Sequence, residues 1–138
     1  MKVFSFIDRI VEVKKNESLT AYYTLRGDEE FLEAHFEGFP VMPGVLLLEA
    51  VKQAAAVFLE ASLDARESRY RMVSAQEVRF GKFVKPGNQL ELSVRLVKAE
   101  EGFYFFEGRI DHLGADSHAA ARGKALAAGF CMELVKSI

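Results

Sequence analysis

The stretch EAHFEGFPVMPGVLLLEAVKQ, residues 33–53, places an imidazole and a carboxylate fourteen positions apart, at His35 and Glu49. A neutral imidazole, with an ordinary pKa of about 6.5, is a competent proton acceptor at physiological pH. A glutamic acid of ordinary pKa is a poor proton donor there, but an apolar setting raises that pKa and makes donation feasible. Glu49 has such a setting, in VLLLEAVKQAAAVFLEA. The plainer alternative also fits the two residues taken alone: a structural histidine among prolines, and a glutamate on the solvent edge of an amphipathic helix. Between them, Pro43 and Gly44 mark the start of a helix. A helix start leaves its first backbone N–H groups unpaired and carries partial positive charge. Proline has no N–H, so Gly44 and Val45 are the candidate oxyanion donors, and a glycine there lets a substrate come close. Gln53 lies one turn beyond Glu49 on the same face and either orients the carboxylate or satisfies another buried polar group. Lys52 stands three residues from Glu49; an ammonium reaching it would oppose a proton-donor role, and snorkelling away into solvent is the expectation.

The elements that must position these groups follow from periodicity. Phe6 to Val13 and LTAYYTLR read as two strands around the turn KKNES, and GDEE as a polar break. FLEAHFEGFPVMPG is irregular, because Pro40 and Pro43 oppose regular structure at and before their positions. Gly44 to about Ala61 is the one long helix, rich in good helix formers and apolar on nearly every side, which predicts burial. Strands return at RMVSAQEVRF, at the alternating LELSVRLVKA and, after a hairpin at Glu100–Gly102, at FYFFEGRIDHL. GKFVKPGNQ is a loop with a Pro-Gly-Asn turn, and HAAARGKALAAGFCMEL is read as a last strand, although its alanines suit a helix equally. Two strands, one helix and then antiparallel strands give an α+β domain, a curved antiparallel sheet wrapped around one long central helix. Sheet edges and one flank are left uncovered, so dimerisation is expected.

Composition sets the outer limits. A chain of 138 residues, half of them hydrophobic and twelve of them Phe, fits one folded domain, residues 1–138. A formal net charge of -2 gives no general nucleic-acid footprint. The single cysteine, Cys131, excludes an internal disulfide framework and CxxC sites, and reads as a small buried hydrophobe. MKVFSFIDRI lacks the pattern of a secretory signal, and no apolar run reaches the roughly 20 residues of a membrane span. A soluble cytoplasmic protein is the resulting expectation. His112 and His118 show no metal-ligand spacing.

The segment HFEGFPVMPGVLLLEAVKQA resembles the signature of the β-hydroxyacyl-acyl-carrier-protein dehydratases, approximately HFPxxPxxPGVLxxEAxAQ. His35, Phe36, Pro40, Pro43, Gly44, Val45, Leu46, Glu49, Ala50 and Gln53 fall at matching positions. FIDRIVEV and VRFGKFVKPGNQLELSVRLVK resemble further family segments, while the last twenty residues fit poorly. Glu37 replaces the usual Pro after His-Phe, Ala34 the usual Gly before it, and Lys52 a common Ala.

The resemblance implies a hotdog fold and elimination of water from 3-hydroxyacyl thioesters on acyl carrier protein, giving trans-2-enoyl thioesters in fatty-acid or related polyene or secondary-lipid synthesis. It implies His35 as base and Glu49 as acid, the Gly44 and Val45 amides as oxyanion donors, Gln53 in support, and no cofactor or metal. It also implies a homodimer in which His35 of one chain meets Glu49 of the other across the acyl tunnel. Glu rather than Asp at position 49 speaks against the branch that also isomerises the double bond. Two other readings stand beside it: a hotdog thioesterase using Glu49 to activate water, and a non-catalytic acyl-binding hotdog subunit. Arg79, Lys82 and Lys85 are either a solvated face or a docking patch for the acidic carrier, and FYFF at 103–106 is core and dimer strand.

Overall fold

A computed structural model describes residues 4–33, 41–63, 69–113 and 125–137. These form a six-stranded antiparallel sheet and two helices. In chain order they are β1 (Arg9–Lys14), β2 (Ser18–Thr24), α1 (Glu30–Glu33), α2 (Gly44–Leu63), β3 (Arg69–Phe80), β4 (Gln89–Glu100), β5 (Phe103–Leu113) and β6 (Ala125–Ser137). Across the sheet the order is β1-β2-β4-β5-β6-β3, so the strand that follows the long helix closes the far edge.

The register explains why one face is apolar. Ala21, Leu92, Ile110 and Ala128 lie side by side across four strands, and Tyr23 pairs with Leu90. All six are essentially buried. Side chains alternate between faces along a strand, so a shared register puts them in one layer. Helix α2 covers that layer with Leu47, Ala50, Val51, Ala54, Ala55, Phe58 and Leu59, the i, i+3, i+4 stripe of an amphipathic helix. Its closest approach is at Gly108, where an added Cβ would run into Val51. Phe58 meets Phe106 edge to face at a centroid distance of 5.7 Å, and each such fully buried side chain contributes roughly 1.5–3 kcal/mol.

Turns complete the frame. Glu101 and Gly102 both have positive φ, 49° and 85°, the two-residue type I′ hairpin that matches strand twist. Pro86 and Gly87 (φ 92°) turn the chain with the Asn88 amide donating to the Lys85 carbonyl at 3.0 Å. At the far end of α2, the Ser62 hydroxyl accepts from the Asn16 amide at 3.1 Å and holds the β1–β2 turn.

Two expectations differ. The segment taken as irregular before the prolines begins with the short helix α1, too brief to leave a periodic signature. Cys131 is partly exposed, on the opposite side of β6 from the buried Phe130 and Met132, because its odd position in the strand points away from α2. Its thiol lies 3.5 Å from Glu77 Oε2, and burial followed by that carboxylate pushes its pKa up. Neither described helix is long and apolar enough to cross a membrane.

Candidate active site

Helix α2 starts directly after Pro43. The amides of Leu46 and Leu47 both donate to the Pro43 carbonyl, at 3.0 and 3.3 Å. The Gly44 and Val45 amides come before this first closure, as the donors at a helix start must. Val45 is 69% exposed. The space beside Gly44 is not open to a substrate, contrary to expectation: the Phe80 ring fills it, 2.9 Å from where a Cβ would stand. A side chain at position 44 would have to displace the exposed Phe80 ring.

Glu49 occupies the second turn, on the flank of the buried stripe, and its side chain is 32% exposed. The apolar enclosure expected of it is not supplied by this chain alone, because α2 buries one face rather than its whole circumference. Lys52 does not snorkel away as expected. Its Nζ lies 3.6 Å from Glu49 Oε1, in an i,i+3 ion pair along the helix.

Gln53 does both jobs that its position allows. Its Nε2 lies 3.4 Å from Glu49 Oε2, a long contact, and donates to the Phe4 carbonyl at 2.7 Å. Its Oε1 accepts from the Phe6 amide at 2.8 Å. One side-chain amide thus holds the Phe4–Phe6 segment as a neighbouring strand would. His35 lies outside the described residues, as do Ala34, Phe36, Glu37, Pro40 and His118. His112 sits in β5, where its Nε2 contacts the Lys82 carbonyl at 3.0 Å.

A groove of about 850 Å³ opens beside Glu49, walled by Phe4, Phe6, Phe31 and Leu46 and rimmed by Asp28 and Glu30. The three rings pack on one another at centroid distances of 4.9 to 5.8 Å. A second concavity, polar and of about 570 Å³, lies where Ser93, Glu107 and Arg109 point away from α2.

The groove is lined in part by a buried carboxylate that sequence reasoning missed. Glu29, 4% exposed, accepts from the Tyr23 hydroxyl at 2.5 Å and from the amides of Arg26 and Gly27 at 2.9 and 2.7 Å. Burial pushes its pKa up, but these three donors outweigh that and hold it below the usual carboxylate range. Burial, with the same bond, pushes the Tyr23 hydroxyl up. Gly27 takes a positive φ of 112° to make this turn. Within GDEE no local signal marks Glu29 as the buried acid, since its partner Tyr23 lies in the preceding strand.

A family profile for the FabA-like domain matches residues 1–118. The chain belongs to the FabA-like family. Among curated members it is 38% identical over 109 residues to a Coxiella burnetii protein named 3-hydroxyacyl-[acyl-carrier-protein] dehydratase FabZ, a match covering 77% of each chain. It is equally 38% identical, over 103 residues, to the FabZ of Polynucleobacter necessarius, covering 75% of this chain and 69% of the relative. Solved structures share the hotdog fold at low identity. They include the Xenorhabdus doucetiae dehydratase heterocomplex ApeI:P (TM-score 0.75, 17% identity, covering 96% of this chain and 83% of that one). Another is a Thermus thermophilus thioesterase-superfamily member (TM-score 0.65, 14% identity, 91% and 85% covered). The FabA-like frame of this chain is thus the one expected: one long helix laid in a curved antiparallel sheet, with Glu49 in its second turn.

Proposed function

We propose that this FabA-like chain, residues 1–138 acting as one hotdog domain, is a cytoplasmic lyase that removes water from 3-hydroxyacyl thioesters on acyl carrier protein. One observation carries the reading: Glu49 stands beside an apolar groove, just past a helix start with free amides, in a chain 38% identical to FabZ dehydratases.

His35 takes the α-proton, and the Gly44 and Val45 amides stabilise negative charge on the thioester oxygen. Glu49, released from its 3.6 Å ion pair with Lys52, gives a proton to the departing hydroxyl, so the α C–H and β C–O bonds break as the C=C bond forms and water leaves. Gln53 holds the carboxylate. The site lies between two copies of the chain. Three observations support this: the partly open Glu49, the exposed Val45, Phe80 and Phe83 around the helix start, and β3 at the sheet edge. Arg79, Lys82 and Lys85 on the neighbouring segment steer the acidic carrier.

The test offers 3-hydroxyacyl and enoyl thioesters on carrier protein and on coenzyme A, following enoyl product and free thiol, with the oligomeric state read by light scattering. Enoyl product from a dimer, reduced at least about 100-fold in Glu49→Gln and in His35→Ala, is expected. Free thiol without enoyl product would make it a thioesterase, and binding without turnover an acyl-binding subunit.

A further inference from the structure

The Glu49 carboxylate has a donor beside each of its oxygens. Lys52 Nζ lies 3.6 Å from Oε1, and Gln53 Nε2 lies 3.4 Å from Oε2. A carboxylate that faces donors on both sides is acting as an acceptor. To give a proton to a departing hydroxyl it needs one oxygen free, so one of the two neighbours must leave first.

Gln53 is held in place. Its Nε2 donates to the Phe4 carbonyl at 2.7 Å, and its Oε1 accepts from the Phe6 amide at 2.8 Å. Turning it away from Glu49 would break both bonds and strand a part-buried amide N–H. Lys52 is held differently. Among the described residues its ion pair with Glu49 is a single contact, made at the end of a flexible four-carbon stem, and its side chain is 27% exposed. The ammonium can swing into water while Glu49 and Gln53 stay where they are.

The charged residues that line the groove with Glu49 are Arg26, Asp28, Glu29 and Glu30. Arg26 is bound to Asp8 at 2.6 Å and lies 4.0 Å from Glu29, and the other three are acids. The cation that meets Glu49 is therefore Lys52. An Ala, common at this position in the signature that the segment resembles, could make no such contact, so the ion pair comes with the substitution.

We propose that Lys52 is a gate on Glu49: it holds Oε1 in the resting site, and the 3-hydroxyl group of the substrate displaces it before Glu49 acts. Lys52 is a positioning residue, since it works through Glu49 and touches no reacting atom. The proposal rests on Glu49 as the acid of the dehydration. A ligand that lacks the 3-hydroxyl leaves the ion pair intact, so the gate is measurable by binding alone.

Non-reactive 3-hydroxyacyl pantetheine thioethers and their 3-deoxy counterparts are titrated against wild type, Lys52→Met, Lys52→Ala and Lys52→Arg. The same proteins are assayed for kcat/KM on 3-hydroxyacyl pantetheine thioesters, which carry no phosphate. Breaking a partly exposed ion pair at this helix spacing changes an equilibrium about twofold. Lys52→Met and Lys52→Ala are expected to tighten the Kd of the hydroxy ligand by about this factor, to leave that of the deoxy ligand unchanged, and to raise kcat/KM equally. Lys52→Arg, which keeps the charge, should behave as wild type. Raising the ionic strength from ~0.05 M to ~0.5 M screens the pair, so wild type should approach Lys52→Met while that variant stays where it was.

An unmoved hydroxy-to-deoxy ratio would overturn the proposal, as would a kcat/KM in Lys52→Met no higher than that of an active wild type. Absence of enoyl product from wild type would instead remove the dehydratase reading, and the hydroxy-to-deoxy ratio would still decide for or against the gate.

Discussion

Replacing Tyr23 with Phe should weaken the protein measurably at neutral pH and far less in acid. The substitution keeps the ring, which packs on Phe6 at 5.4 Å, and deletes one hydroxyl. That hydroxyl is one of three donors to Glu29 named above, the others being the Arg26 and Gly27 amides. A hydrogen bond to a buried charged group is worth about 1.5–3 kcal/mol. Unfolding entropy of about 2.1 cal/mol/K per residue over 138 residues turns 2 kcal/mol into a Tm lower by about 7 °C. The pH dependence follows from Glu29. Its folded pKa lies below the ordinary value of 4.5, so the stability it contributes is present above that value. That contribution is lost as pH falls through the folded pKa. Tyr23→Phe moves the folded pKa back up, so the gap between variant and wild type closes on acidification below about 4.5. Urea and thermal unfolding at pH 7 and at steps below pH 4.5 would measure both effects. A Tm within 1 °C of wild type at pH 7, or a gap that persists unchanged in acid, would refute the role given to this bond.

Gly108→Ala should cost about 1–3 kcal/mol, because the new methyl meets Val51 where α2 crosses the sheet; denaturant unfolding checks it, and no loss would mean the helix rides free of β5. Glu101→Gly should raise stability by about 1 kcal/mol, since Glu101 holds a φ of 49° in the β4–β5 turn. Thermal unfolding reads this too, with a fall in Tm counting against the turn as described.

Most of the frame could be read from periodicity, for reasons that particular residues show. Leu90, Leu92 and Val94 alternate in sequence and are buried together against α2. That alternation ends at Leu96, where the register with β5 slips by one residue. The helix from Gly44 was legible from Pro43 and its run of helix formers. Which of its sides is buried was not, since that is decided by the sheet beneath it. This is why Glu49 proved about one-third exposed and why Lys52 could turn along the helix to reach it. Glu29 was illegible for a related reason: in GDEE it is one acid among three, and its burial rests on a tyrosine in another element. The Phe4–Phe6 wall was hidden because its anchor, Gln53, lies 47 and 49 positions away in sequence.

That anchor has a practical bearing on how the protein is handled. Among the described residues, Gln53 is the side chain that hydrogen-bonds the Phe4–Phe6 segment to α2, before the ladder of β1 begins at Arg9. An affinity tag fused ahead of Phe4 would pull on this fastening and on the ring at the mouth of the groove. A tag placed after β6 would leave both untouched, so preparations differing only in tag position are the first comparison to make before acyl preferences are assigned to the native chain.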